Sequence, residues 1–257
     1  MARKPKIVDT HFEDISQYHK PANDKVIQGM QSNRLKMRLE DLKTFKPLTE
    51  NQKLFFNSYS LGEYFMMLSG SAGTGKSFIA LYKALEEVMD KGNSFNQVLI
   101  VRSAVQTRDV GFLKGSLEEK TSIYEDPYIQ ICATLFGKKE AYQRLKEQGY
   151  IEFTTTTAVR GMSFDNSVVI LDECQNCTFQ ELDTIVTRIG HQSKILFVGD
   201  TGQNDLIKKS NEVTGMPDFI KIANTMDEFC RIHFTSEDIV RSSLVKQYII
   251  AKEKLGY

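Results

Sequence analysis

Eight consecutive residues, Gly70-Ser71-Ala72-Gly73-Thr74-Gly75-Lys76-Ser77, have the types and spacing that hold a phosphate chain. Glycines let the backbone wrap closely enough for its N–H groups to point inward, and a helix that follows presents its positive end to the anion. Lys76 supplies a point charge for β- and γ-phosphates, and the Ser77 hydroxyl can ligate Mg²⁺. The apolar run Phe65 to Leu68 precedes this loop and a helical pattern follows it, the context that such a loop requires. The expected ligand is a nucleoside triphosphate, ATP first among them, bound with Mg²⁺.

A second motif supplies carboxylates. Val168-Val169-Ile170-Leu171-Asp172-Glu173 reads as an apolar strand ending in two adjacent acids. Asp172 can hold the metal through its water shell, and Glu173 can orient or deprotonate an attacking water. An apolar run before Asp-Glu is common by itself. Paired with the upstream phosphate loop it points to hydrolysis, although a slow nucleotide switch uses the same parts. A third motif, Val198-Gly199-Asp200-Thr201-Gly202-Gln203, follows the apolar run Lys-Ile-Leu-Phe-Val. Its polar residues would project into the same cleft, and Gln203 is a candidate to sense the γ-phosphate or place the water.

These motifs need strands and helices to bring them together. Strands are expected at Tyr64–Ser69, Gln97–Arg102, Ile151–Thr155, Val168–Asp172, Lys194–Gly199 and Phe229–Phe234. Helical periodicity covers Gly75–Asp90, Pro127–Gln148, Phe179–Ile189, Pro217–Met226 and Ser236–Lys254. That alternation predicts an α/β fold: a mostly parallel, RecA-like sheet of the P-loop NTPase type, flanked by helices. Residues 1–47 are polar, weakly helical near Gln28 to Leu42, and expected to form an N-terminal arm or small appendage. Residues 48–257 are expected to form the nucleotide-binding domain. The stretch from Ser103 to Asp126 lacks periodicity and reads as a long loop of the kind that carries function.

Of 257 residues, 33 are basic and 33 acidic, so the chain has no net charge. That excludes a surface coated with lysine and arginine but leaves room for a local basic channel. The four cysteines, Cys132, Cys174, Cys177 and Cys230, are too few for a disulfide framework and suit a reducing compartment. No signal-peptide core or membrane-length apolar run is present, so a cytoplasmic location is expected. Cys174-x-x-Cys177 has no further pair at zinc spacing and reads as small residues packed near the cleft. The histidines His11, His19, His191 and His233 are scattered. Tyr124 and Tyr128, near Lys114 and Lys120, are candidates to stack on bases, although the plainer reading is a loop anchored by aromatics.

Four segments in order resemble the PhoH-like ATPases: Gly111–Lys120 (GFLKGSLEEK), Leu171–Gly190 (LDECQNCTFQELDTIVTRIG), Val198–Leu206 (VGDTGQNDL) and Glu237–Val245 (EDIVRSSLV). The resemblance runs from about Leu48 to the C-terminus and is related in its motifs to superfamily 1 helicases. It implies an ATPase acting on, or stimulated by, single-stranded nucleic acid, RNA more than DNA: a motor that binds, moves along or unwinds the strand, working as a ring-shaped homo-oligomer, often a hexamer. Gln52 looks like the family's adenine-contacting glutamine. Arg188 and Arg241 match arginines that approach the γ-phosphate, though either can equally serve as a helix-surface salt bridge. The chain departs from the family pattern at Ser103 and Lys114, where proline is usual, and at Cys174, where alanine is. Some relatives carry a nuclease domain of ~120 residues before the ATPase. The segment upstream of Gly70 is too short for one, so no intrinsic nuclease activity is expected.

Only one ATPase lobe fits after the phosphate loop, so an arginine supplied in trans would have to come from a neighbouring subunit. The alternative to a motor is an ATP-binding regulatory or scaffold protein. A small-molecule kinase fits poorly, because no arginine-rich lid is evident.

Overall fold

Strand residues alternate between two apolar faces, so the sheet is buried on both sides and must be covered by helices twice. The computed structural model describes residues 36–103, 117–200 and 214–255. In chain order the elements are α1 (Glu50–Ser60), β1 (Phe65–Gly70), α2 (Lys76–Met89), β2 (Gln97–Arg102), α3 (Leu117–Phe136), α4 (Ala141–Glu147) and β3 (Ile151–Thr155). They continue with β4 (Ser167–Asp172), α5 (Phe179–Val186), β5 (Lys194–Gly199), α6 (Met216–Ala223), β6 (Phe229–Phe234) and α7 (Ser243–Lys254). The six strands form one parallel sheet in the order β3-β2-β4-β5-β1-β6.

Met66, Leu68, Val98, Ile100, Val168, Ile170, Leu196 and Val198 pack with α1–α4 on one face. Phe65, Met67, Leu99, Val101, Val169, Leu171, Ile195 and Phe197 pack with α5 and α6 on the other. This odd–even division follows from the period-2 geometry of a strand. Removing any of these side chains to alanine would cost about 2–5 kcal/mol. Thr178 caps α5, accepting from the Glu181 backbone N–H while the Glu181 carboxylate accepts from the Thr178 N–H.

The crossover from β1 through α2 to β2 passes over β5 and β4. One strand, β5, therefore separates the strand before the phosphate loop from the strand that ends in Asp172. Register aligns Ser69 with Gly199, Asp172 with Val198, and Arg102 with Asp172. Three motifs distant in sequence thus surface together at the carboxyl end of the sheet, where open α/β folds hold ligands.

All six expected strands are present, within a residue at each end, and the sheet is wholly parallel. The helical expectations need correction in places. Pro127–Gln148 is two helices, α3 and α4, parted at Gly137, whose φ of +65° no helix accommodates. The α3 helix begins earlier, at Leu117, so part of the expected Ser103–Asp126 loop is helical. Ser236–Lys254 is a 3₁₀ turn at Ser236–Asp238, closed by Thr235 and Asp238, followed by α7. Near Gln28 to Leu42, the described part is non-helical except for a 3₁₀ turn at Leu39–Asp41. Met37 is buried in the core, and Phe45 packs edge-on against Phe78 and Tyr82. Among the described residues no helix is long and apolar enough to cross a membrane.

Candidate nucleotide-binding site

The phosphate loop leaves β1 through Gly70 (φ +121°), where a Cβ would lie 1.9 Å from the Phe234 carbonyl oxygen; no other residue fits that approach. Ser71 N–H donates to the same oxygen at 2.9 Å. The loop ends at Gly75, in the left-handed region, and α2 begins at Lys76. Its first-turn N–H groups therefore face the cleft.

Two segments far apart in sequence hold the loop in shape. Gln52, buried in α1, donates from Nε2 to the Thr74 carbonyl at 2.9 Å and accepts the Leu48 N–H on Oε1 at 2.8 Å. Val240 N–H donates to the Gly73 carbonyl at 3.1 Å. These supports are themselves joined, because Asn51 Nδ2 donates to Asp238 Oδ2 at 2.7 Å.

Lys76 is buried, and its Nζ donates to the carbonyls of Gly70 (2.9 Å) and Ser71 (2.6 Å) and to Thr74 Oγ1 (3.3 Å). Burial lowers the ammonium's pKa from its usual value, against the opposing pull of the Asp200, Glu173 and Asp172 carboxylates. Ser77 Oγ donates to Asp172 Oδ1 at 2.9 Å, and Tyr128, on α3, donates from its hydroxyl to Asp172 Oδ2 at 2.8 Å. Burial, then the Asp172 charge, pushes the Tyr128 phenol well above its ordinary pKa and keeps it a donor.

Glu173 has φ +53°, a conformation that costs a non-glycine residue about 1–3 kcal/mol and turns its side chain away from the strand's alternation. Burial, then the neighbouring Asp172 charge, raises its carboxyl above the ordinary range, while Gln175 and Arg102 act the other way. Gln175 donates to Glu173 Oε2 at 2.6 Å and accepts the Asp200 N–H on Oε1 at 3.0 Å. Arg102 comes within 4.0 Å of Glu173 Oε1.

These groups border a cleft of about 440 Å³ lined by Ala72–Phe78, Pro127, Gln130, Ile131, Thr134, Asp172, Glu173, Val198–Asp200 and Arg241. A larger hollow of about 910 Å³ lies beside Met37, but its rim of Lys36, Arg38, Asp90 and Lys91 carries mixed charge and no phosphate cradle. The donor set at the cleft suits Mg²⁺: a hydroxyl and a carboxylate, both hard oxygen ligands, meet beside a cradle whose bound phosphate oxygens would fill further positions.

The structure thus brings Gly70–Ser77, Asp172 and Glu173 together, with Gln52 behind the loop. The exposed Arg241 stands at the loop, where a Cβ on Gly73 would meet its Cγ at 3.0 Å. Arg188 does not line this cleft. Its guanidinium donates to the Met162 carbonyl at 3.0 Å, and its buried Nε has no partner among the described residues. Gln203 and Lys114 lie outside the described residues. Tyr128 is fully buried, which rules out its stacking on a base; instead it is tied to Asp172. Cys174 and Cys177 are fully buried, and a Cβ on Gly199 would strike Cys174 Sγ at 2.6 Å. Sequence reasoning missed Gln175 and Arg102. The signals were a glutamine two places after the acidic pair and an arginine closing the strand expected at Gln97–Arg102.

The family description "PhoH-like protein" matches residues 44–253. The chain belongs to the PhoH-like family. A PhoH-like protein of Bacillus subtilis (strain 168) is 34% identical over 190 residues, covering 72% of this chain and 57% of that protein. Protein PhoH of Escherichia coli (strain K12) is 31% identical over 185 residues, covering 71% of this chain and 51% of that protein. The chain therefore spans little more than half the length of these curated relatives. Among solved structures, a large terminase from a thermophilic bacteriophage aligns with a TM-score of 0.45 at 12% identity, over 79% of this chain and 50% of that one. That likeness is too distant to bear on function. The six-stranded parallel sheet, with its phosphate loop after β1 and its acidic pair at the end of β4, is the P-loop NTPase fold.

Proposed function

We propose that this PhoH-like chain hydrolyses ATP with Mg²⁺ and couples the cycle to single-stranded nucleic acid, RNA in preference to DNA, as a homo-oligomer. One observation carries the hydrolysis reading: Ser77 Oγ lies 2.9 Å from Asp172 Oδ1, with Glu173 adjacent and Lys76 in the same cleft. In this reading the loop N–H groups and Lys76 bind the phosphates, and Ser77 and Asp172 hold the metal. Bound Mg²⁺ supplies charge neutralisation at the phosphates. Glu173 orients the attacking water, which its raised carboxyl basicity favours, and Gln203 reports the γ-phosphate. Gln52 reads adenine with the amide valences left over from Leu48 and Thr74. Arg241 serves its own cleft, and Arg188 serves that of a neighbouring subunit.

Support for the nucleic-acid track and for a ring, hexameric in the form the resemblance implies, comes from the motif likeness. The test is steady-state ATP hydrolysis across protein concentrations, with and without single-stranded RNA. Specific activity that rises with both supports a coupled, trans-completed site. Activity flat in both overturns the motor reading in favour of a nucleotide-gated binding protein.

A further inference from the structure

Asp172 is buried at the C-terminal end of β4, and both its carboxylate oxygens accept hydrogen bonds. Ser77, on the phosphate side, takes Oδ1. Tyr128 takes Oδ2 from the opposite side at 2.8 Å, 44 residues away in sequence. A carboxylate on a short side chain can rotate about its last torsion, which is broad and soft. Two donors on opposite oxygens remove that freedom and decide which oxygen faces the loop.

Tyr128 is suited to this task by its own placement. It is 1% exposed, its ring packs against Phe153, and it sits on a helix whose cleft-facing residues Pro127 and Ile131 already border the site. One turn earlier the Tyr124 carbonyl accepts from Arg102 at 3.3 Å, and the Arg102 guanidinium also lies over the Tyr124 ring. Arg102 is the residue that approaches Glu173. A single turn of α3 thus reaches both members of the acidic pair, one directly and one through an arginine.

We propose that Tyr128 is a positioning residue that orients Asp172 toward the metal, making α3 the rigid support of the acidic pair. The inference rests on the reading of this cleft as a magnesium–nucleotide site. Groups that orient a metal's ligands commonly change metal affinity or activity by about 10–100-fold when removed. A purely structural tyrosine would not.

The helix α4 supplies an internal control. Tyr142 is also buried and donates to a carboxylate, Glu125 Oε2, at 2.5 Å, but it does not line the cleft. Tyr142→Phe therefore removes the same kind of bond without touching Asp172. The experiment titrates a fluorescent ADP analogue onto wild type, Tyr128→Phe and Tyr142→Phe, in EDTA and across Mg²⁺ concentrations. Circular dichroism checks that each is folded.

In the expected result, affinity in EDTA is the same for all three. The Mg²⁺ concentration giving half the magnesium-dependent gain rises about 10-fold in Tyr128→Phe and stays at the wild-type value in Tyr142→Phe. A Tyr128→Phe protein that keeps the wild-type magnesium response overturns the inference while leaving the nucleotide reading intact. So does an equal loss in both variants, which would mean general loosening of the core. Wild-type protein that binds the analogue with no magnesium-dependent gain overturns the metal-site reading itself, and the inference with it.

Discussion

The Ser77 hydroxyl donates to Asp172 Oδ1 at 2.9 Å, joining the phosphate loop to the acidic strand across 95 residues of sequence. The two residues meet because β5 lies between their strands and register aligns the three strand ends. If they hold Mg²⁺ together, Asp172→Asn, which keeps the shape and removes the charge, leaves nucleotide binding in EDTA unchanged. It should lose the tightening by Mg²⁺ and about 100-fold in turnover. Calorimetric titration of ATP with and without the metal checks this, and an unaltered magnesium response would remove Asp172 from the site.

Gln52 ties the loop at Thr74 and is proposed also to read the base. Gln52→Ala should weaken ATP and GTP both, by about 1–3 kcal/mol for the lost buried hydrogen bonds. It should weaken ATP further, so that the preference between the two shrinks. Equal losses for the two nucleotides would leave Gln52 as a loop support alone.

Asp238 fastens the turn that carries Val240 and Arg241 to the start of α1. Burial acts to raise its pKa, but hydrogen bonds from Thr49, Asn51 and Thr235 outweigh it, and the folded value is lowered. A lowered carboxylate pKa adds stability above the unfolded value of about 3.9, and that stability is lost as pH falls through the folded value. Asp238→Asn should therefore be less stable than wild type by about 1–3 kcal/mol near neutrality. The difference should narrow as pH falls through the lowered folded value. Denaturant unfolding at several pH values measures it, and a gap that is constant with pH would contradict this assignment.

The two arginines separate by complementation. Lys76→Ala subunits lack a working cleft but retain Arg188, and Arg188→Ala subunits have the reverse defect. Mixing them should restore part of the lost ATPase if Arg188 acts on a neighbour. Arg241 stands at its own loop, so mixing Arg241→Ala with Lys76→Ala should restore nothing. The opposite pattern would exchange their roles.

The place of the glycine-rich turn between β1 and α2, and of the acidic pair at the end of β4, was readable from residue types at fixed spacing. Gly70 and Gly75 take positive φ at the two ends of that turn, and the acidic pair needs an apolar strand before it. The six strands were readable because a sheet covered on both faces demands continuous apolar runs. What escaped depends on partners distant in sequence. Tyr128 has the same helical environment as any core aromatic, and only the fold sets its hydroxyl against Asp172. The α1 helix buries just Gln52, Phe55 and Tyr59, too narrow a stripe to stand out in a polar segment. The break between α3 and α4 turns on one glycine, Gly137, whose conformation its neighbours do not announce.

Whether this cleft hydrolyses ATP is tested most directly by steady-state hydrolysis with Mg²⁺, comparing wild type with Lys76→Ala. Wild type should show measurable turnover that falls at least about 100-fold when the Lys76 charge is removed, with the fold retained by circular dichroism. Turnover equal in the two proteins would contradict hydrolysis at this cleft and move any activity in the preparation to some other site.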